Sequence, residues 1–390
     1  MTVGTSDAGG NAGRDAGSTG IPPSPGRDTA DAVLVLRALG LGDALTGIPA
    51  LRGIRRAWPD RFIVLAAPPA SGRWLRDLGV VEEVLPTSGL ADLSWPPAGW
   101  IGVGGHIAVN LHGRGPRSHR VLNATAPDRL VAFRSATGGH LTGPQWRQDE
   151  HEVARWCRLL STVNGPCTEQ DLRLPSGEPR QQHIVLHPGA ASGSRRWPVD
   201  RWGQVAAELW RKGHRVAITG GPAERELCAA VVAAARSTSG FDGLEGTATA
   251  ATRRPIQVLA GTLTFSDLAD IVSTAGLLIS GDTGVAHVAT AFGTRSVLLF
   301  GPTPPGRWGP AIDQHLHTVL WHGDSGRSGD PHGHEVDPAL AAITVEDVLT
   351  AVTGQLSAAG LPVASGHLPK LEVAETEQNT SPYAEARQAN

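Results

Sequence analysis

The sequence has few cysteines, almost no lysine, no long apolar run and no basic tract, and each shortage excludes something. Its three cysteines, Cys157, Cys167 and Cys228, are odd in number and form no CxxC pair. That argues against a disulfide framework and against a cysteine zinc site, and it suits a reducing compartment. No apolar stretch approaches the roughly 18 residues needed to span a bilayer. The N-terminus lacks the basic-then-apolar layout of a signal peptide, so a cytoplasmic protein without a transmembrane segment is expected. Two lysines, Lys212 and Lys370, stand beside 32 arginines in a chain of net charge −3. No cationic run is long enough to track a phosphate backbone, so nucleic acid is not the expected partner. The arginine excess reads as coding bias rather than function.

What is present is ordinary globular material, 390 residues of it and 40% hydrophobic, more than one core usually holds. Two domains are therefore expected. Residues 1–29 and 361–390 offer almost nothing to bury and read as disordered tails. Between them strands and helices alternate. "AVLVLR" (32–37) and "RFIVLAA" (61–67) are buried-strand patterns flanking a helix over 43–58. Weaker strands follow at 80–85, 107–111 and 129–133, and a helix over 149–163 closes a first domain, 30–165. A second domain, 180–358, opens with "HIVLHPG" (183–189) and continues through helices at 200–213, 223–235, 265–276 and 345–356. Alternation of this kind predicts parallel sheets covered on both faces. Two such domains in tandem place a cleft between them, at the carboxyl ends of the strands.

Four strand ends carry candidate chemistry. In "LGLGDALTGIPAL" (39–51), Gly40 and Gly42 permit a tight turn and close backbone approach, but Leu45 stands where a dinucleotide fingerprint needs a small residue. Asp43 reads either as a helix cap or as a carboxylate that takes a proton from a substrate hydroxyl. In "LHPGAASGSRRWPVDRW" (186–202), Arg195 and Arg196 beside a Ser/Gly loop suit a diphosphate, the alternative being a solvated pair. Trp197 reads as a packing anchor. In "TGGPAERE" (219–226), Glu224 suits ribose hydroxyls or merely the helix dipole. In "SGDTGVAHVATAF" (280–292), Asp282 or Thr283 caps a helix, Gly284 admits a ligand, and the free N–H groups bind an anion that His287 also meets. A fifth stretch, "HGDSGRSGDPHGHEVD" (322–337), holds His322, His332 and His334. It reads first as an exposed loop, and HxH in a loop is a weak metal signal. No metal site is expected.

Taken together, these blocks and "SVLLFGPTPPGRWGP" occur in the order and approximate spacing of glycosyltransferase family nine, the ADP-heptose:lipopolysaccharide heptosyltransferases and their relatives. The similarity runs over about 32–355 and is loose between 86 and 150. The resemblance implies an α/β GT-B fold, two Rossmann-like doubly wound domains facing across a cleft. It implies an inverting, metal-independent glycosyltransferase with no cofactor beyond its nucleotide-sugar donor. Asp43 stands where the family carries its proposed base, and Arg195 where it commonly has a lysine on the donor diphosphate. Glu224, Asp282, Thr283, Gly284 and His287 match family positions around the donor. The expected partners are a nucleotide sugar and a hydroxyl-bearing acceptor, a glycan or a specialised metabolite. Peripheral membrane contact stays open, and a monomer suffices for the cleft. Two other readings use the same fold. A sugar-nucleotide epimerase needs further acid/base carboxylates around the sugar, and a non-catalytic nucleotide-sugar-binding protein has no need of Asp43.

Overall fold

The computed structural model describes residues 26–102, 104–176, 180–238, 256–325 and 329–360. The first unit contains β1 (Ala32–Leu36), α1 (Leu41–Thr46), α2 (Ile48–Ala57), β2 (Phe62–Ala67), α3 (Pro69–Asp77) and β3 (Glu83–Pro86). It continues with β4 (Ile107–Asn110), α4 (Arg117–Asn123), β5 (Arg129–Val131) and α5 (Glu152–Ser161). The second unit opens with β6 (His183–His187), α6 (Val199–Arg211), β7 (Arg215–Ile218), α7 (Arg225–Ser237), β8 (Gln257–Val258) and α8 (Phe265–Thr274). It ends with β9 (Leu277–Gly281), α9 (Gly284–Phe292), β10 (Ser296–Leu299), α10 (Pro305–Trp308), β11 (His317–Leu320), α11 (Pro338–Ala342) and α12 (Val345–Ala358).

Both sheets are parallel, in the orders β3-β2-β1-β4-β5 and β11-β10-β9-β6-β7-β8. β1 and β6 are buried along their whole length, which is why they read as continuous apolar runs rather than as alternation. Each Val or Leu so buried contributes roughly 1.5–3 kcal/mol. Strand order reverses between β1 and β4 in one sheet and between β6 and β9 in the other. Ligands of open α/β sheets bind at such switch points, outside the carboxyl ends of the strands.

Several elements differ from the sequence expectation for identifiable reasons. The helix expected over 43–58 is two helices. Pro49 lacks an N–H and stands in the first turn of α2, and a Cβ on Gly47 at the junction would lie 2.7 Å from Arg37 Cδ and Nε. α1 begins at Leu41 with Gly40 as its cap residue, so Asp43 lies inside the first turn and is not the cap. The helix expected at 223 starts as a 3₁₀ turn, Pro222–Glu224, before α7. β11 is not predicted from the sequence, because "HTVL" carries too short an apolar signal to stand out. Of the expected N-terminal tail, residues 1–25 lie outside the described residues, whereas Thr29 is already buried and donates from Oγ1 to Gly104 O (2.7 Å). The expected tail over 361–390 also lies outside them. Among the described residues no helix is long and apolar enough to cross a membrane.

The two units meet through their helix starts. A Cβ on Gly284 would stand 2.9 Å from Gly42 N, and one on Gly42 would stand 2.8 Å from His287 Cδ2. Only glycine at both positions lets α1 and α9 approach this closely. One apolar cluster runs through the junction, joining Leu45 and Ile48 of the first unit to Val285, Val288 and Phe292 of the second.

Candidate active site

A cavity of about 750 Å³ opens where the carboxyl ends of β1, β6, β7 and β9 face one another. Its wall contains Gly40, Gly42, Asp43, Arg195, Glu224, Asp282, Thr283, Gly284 and His287, residues brought together from both sheets. Arg196 is not in the wall. It is exposed and donates from Nε to Ala190 O (2.9 Å). Trp197 is buried, donates from Nε1 to Ile343 O (3.1 Å) and packs edge-on against Trp202, a structural anchor as expected.

Asp43 sits on the first-unit side. Its side chain is 27% exposed, and Arg37 Nη2 lies 3.8 Å from Oδ1. Burial raises its carboxyl above the ordinary value, Arg37 pulls the other way, and Glu152 adds to the rise. Arg37 is itself buried and fully engaged. It donates to the backbone oxygens of Asp43 and Leu111, to Thr46 Oγ1 (2.9 Å) and to Glu152 Oε1 (3.3 Å). Sequence reasoning missed this residue. The available signal was a charged side chain directly after a buried apolar strand.

On the opposite side, Arg195 is held by Nη1 donating to Asp282 O (3.3 Å) and by Nε donating to Ser192 Oγ (3.4 Å). α9 starts at Gly284 with Thr283 as its cap residue, but Thr283 Oγ1 makes no capping bond and is buried without a partner among the described residues. That hydroxyl and the N–H groups at the very start of α9, which make no hydrogen bond among the described residues, give a helix start of the kind that suits an anion. His287, 5% exposed, is held down to about 4, first by burial and then by His151 and Arg37. At neutral pH it is therefore an uncharged hydrogen-bonding group rather than a cation. Glu224 lies beyond, its Oε2 accepting from the Gly221 N–H (2.7 Å). A Cβ on Gly189 would fall 2.0 Å from Glu224 Oε1, so the chain after β6 passes directly against this carboxylate. His187, also missed in sequence, lines the same end and bonds Thr219 Oγ1 through Nδ1 (3.0 Å). Leu263, Phe265 and Leu268 supply an apolar wall there.

Asp282 is 7% exposed, and burial pushes its carboxyl up to about 6 against the pull of Arg195. Its folded value thus lies above the ordinary 3.8, and the folded state binds this proton more tightly than the unfolded chain does. The resulting stability is present below about pH 4 and is lost as pH rises to about 6. The interval corresponds to at most about 3 kcal/mol. Asp282→Asn is accordingly expected to raise the urea midpoint at pH 7.5 and to leave it nearly unchanged at pH 4. Equal midpoints at pH 7.5 would remove the assigned penalty.

Among the described residues no group of three His, Cys, Asp or Glu is placed to hold a metal ion, the 322–337 histidines included.

Residues 146–328 match glycosyltransferase family 9 (heptosyltransferase). Lipopolysaccharide heptosyltransferase 3 of Escherichia coli K12 is 28% identical over 176 residues, 44% of this chain and 46% of that protein. Lipooligosaccharide heptosyltransferase 2 of Campylobacter jejuni is 24% identical over 184 residues, 44% and 54% of the two chains. The chain thus matches about half the length of these curated relatives. In three dimensions the likeness is wider. The E. coli ADP-heptose LPS heptosyltransferase II structure superposes with a TM-score of 0.62 at 18% identity, covering 84% of this chain and 99% of that one. E. coli heptosyltransferase WaaC with ADP gives 0.57 at 17% identity, covering 83% and 99%. The fold is GT-B, and the chain is related to the lipopolysaccharide heptosyltransferases.

Proposed function

We propose that this chain, a relative of the family 9 heptosyltransferases, is an inverting glycosyltransferase that moves heptose from ADP-heptose to a hydroxyl of an acceptor. The observation that carries the reading is the single cavity joining Asp43, from one sheet, to Arg195, Glu224 and the α9 start, from the other. The names of the relatives supply the donor class.

In this reading the nucleoside lies against Phe265 and Glu224, with the carboxylate accepting from ribose hydroxyls. The diphosphate lies at Arg195 and the start of α9. Asp43 takes the proton from the acceptor hydroxyl as its oxygen attacks the anomeric carbon from the face opposite the nucleotide. The bond to the diphosphate breaks in the same displacement, through an oxocarbenium-like state, and configuration inverts. Negative charge grows on the departing phosphate oxygens. Arg195, the Thr283 hydroxyl and the first-turn N–H groups of α9 stabilise it from fixed positions, without reorganisation during the step. No divalent cation is assigned a role. Closure of the two units around the bound donor excludes water in this reading and protects the donor from hydrolysis. The acceptor is a glycan or a small metabolite, bound on the first-unit side.

Isothermal titration in EDTA tests the reading, with ADP-heptose set against ADP, UDP-sugars and GDP-sugars. Selective ADP-heptose binding, weakened roughly tenfold in His287→Ala through loss of one hydrogen bond to a charged ligand, is the expected result. Preference for another nucleotide sugar would overturn the heptosyl assignment, and binding without transfer to any acceptor would favour a non-catalytic binding protein.

A further inference from the structure

The histidine-bearing segment after β11 has no part in the chemistry above, and its Gly/Ser/Asp composition suggests a free surface loop. In the fold it is tied down. Ser192 Oγ donates to Pro331 O (2.5 Å), Ser194 N–H to Gly333 O (3.0 Å) and Asp337 N–H to Ser194 O (3.2 Å). Gly329 N–H donates to Pro302 O (2.9 Å). The segment therefore bridges the loops that follow β6 and β10. Its contact with the first is close: a Cβ on Gly193 would fall 1.8 Å from His334 O.

This anchoring brings Pro331 and His332 into the cavity wall, in company with Arg195, Asp282 and Thr303. Ser192 couples the two sides. Its hydroxyl gives its proton to Pro331 O and receives Arg195 Nε–H at 3.4 Å, so one side chain positions both the arginine and the histidine segment. The His332 backbone N–H is satisfied by Asp330 Oδ1 (2.9 Å), whereas its ring makes no hydrogen bond among the described residues. An imidazole without a protein partner, on a segment fixed by four hydrogen bonds, stands in the wall of a cavity that contains an arginine and a helix start.

We propose that His332 is a further donor-binding residue, its imidazole donating a hydrogen bond to the distal phosphate of the nucleotide diphosphate alongside Arg195. This rests on the reading that the cavity takes a nucleotide sugar. The geometry favours the distal phosphate over the nucleoside. Glu224, Pro222 and Phe265 belong to the β7–β8 side of the cavity, whereas Ser192, Arg195, Asp282 and Thr303 follow β6, β9 and β10. His332 enters with the second set. A donor at this point shares the charge that develops on the leaving group, and because its backbone is already anchored only the ring has to be ordered when the ligand arrives.

The test is isothermal titration of ADP and AMP into the full chain, as wild type, His332→Ala and His332→Gln. His332 is exposed, so both variants are expected to melt at the wild-type temperature. ADP affinity should fall roughly tenfold in His332→Ala, the size of one hydrogen bond to a charged group, while AMP affinity stays near wild type. His332→Gln, which keeps an N–H donor, should recover most of the loss. Unchanged ADP affinity in His332→Ala overturns the proposal, as does an equal loss for AMP and ADP. A wild type that binds neither nucleotide fails differently, removing the nucleotide-sugar reading itself.

Discussion

Asp43→Asn is expected to lower kcat by about 10²–10⁴-fold, the range for removing a positioned general base, and to leave donor affinity close to wild type. The asymmetry follows from placement. Asp43 belongs to the first unit and the groups assigned to the nucleotide belong to the second, so its loss removes the proton acceptor but none of the assigned donor contacts. Asparagine keeps the size and most of the hydrogen bonding, and gives up only the basicity. That basicity is raised by the fold: burial disfavours the carboxylate, Glu152 adds to the effect, and Arg37 limits it. The base must be deprotonated to act, so kcat/KM should fall as pH drops through this raised value. The acidic limb should therefore lie above the ordinary aspartate value of about 3.9. Wild-type turnover in Asp43→Asn would end the assignment. A limb at ordinary carboxylate pH would show instead that burial does not tune the group.

The largest stability effect is expected from Glu152→Ala, at about 3–5 kcal/mol, the cost of breaking a buried ion pair by removing one partner. Glu152 is 4% exposed. Its Oε1 accepts from Trp156 Nε1 (2.7 Å) and Arg37 Nη2 (3.3 Å), and its Oε2 accepts from Arg155. Both arginines are buried, and Trp156 is among the largest fully buried side chains. Alanine would leave two guanidinium groups without their carboxylate and an indole N–H without an acceptor. Urea unfolding at neutral pH measures the loss, and a change below about 1 kcal/mol would mean that backbone carbonyls alone satisfy the pair. The same variant carries a second signature. With Glu152 gone, Arg37 acts on Asp43 without that opposing charge, so any enzyme that survives should show its acidic limb displaced to lower pH. A merely structural role for Glu152 would not move that limb.

These two residues mark what was legible in the sequence and what was not. Asp43, Arg195, Glu224 and the Asp282–His287 block stand out as candidates because each lies in the stretch that follows an apolar strand, close to glycines. That local grammar records where a parallel sheet presents its carboxyl ends. α9 begins and ends as its sequence suggests, Gly284 to Phe292, because an extended Thr283, an apolar run and a left-handed Gly293 bound it within one short stretch. The alternation of strands and helices likewise determined the α/β class, since covering both faces of a sheet leaves a continuous apolar signature in each strand.

Only the tertiary structure decided the rest, because the interactions concerned join residues far apart in the chain. Arg37 meets Glu152 across 115 positions, and nothing in "DEHEVARW" indicates a buried carboxylate. Glycine at 42 and at 284 each permits a tight turn locally, and their mutual contact exists only once the two sheets face each other. His332 reads as a solvent-loop residue until Ser192, 139 positions from Pro331, draws its segment into the cavity wall. Local sequence determines the chemistry each strand end carries; which ends face one cavity is a long-range packing outcome that no local pattern encodes.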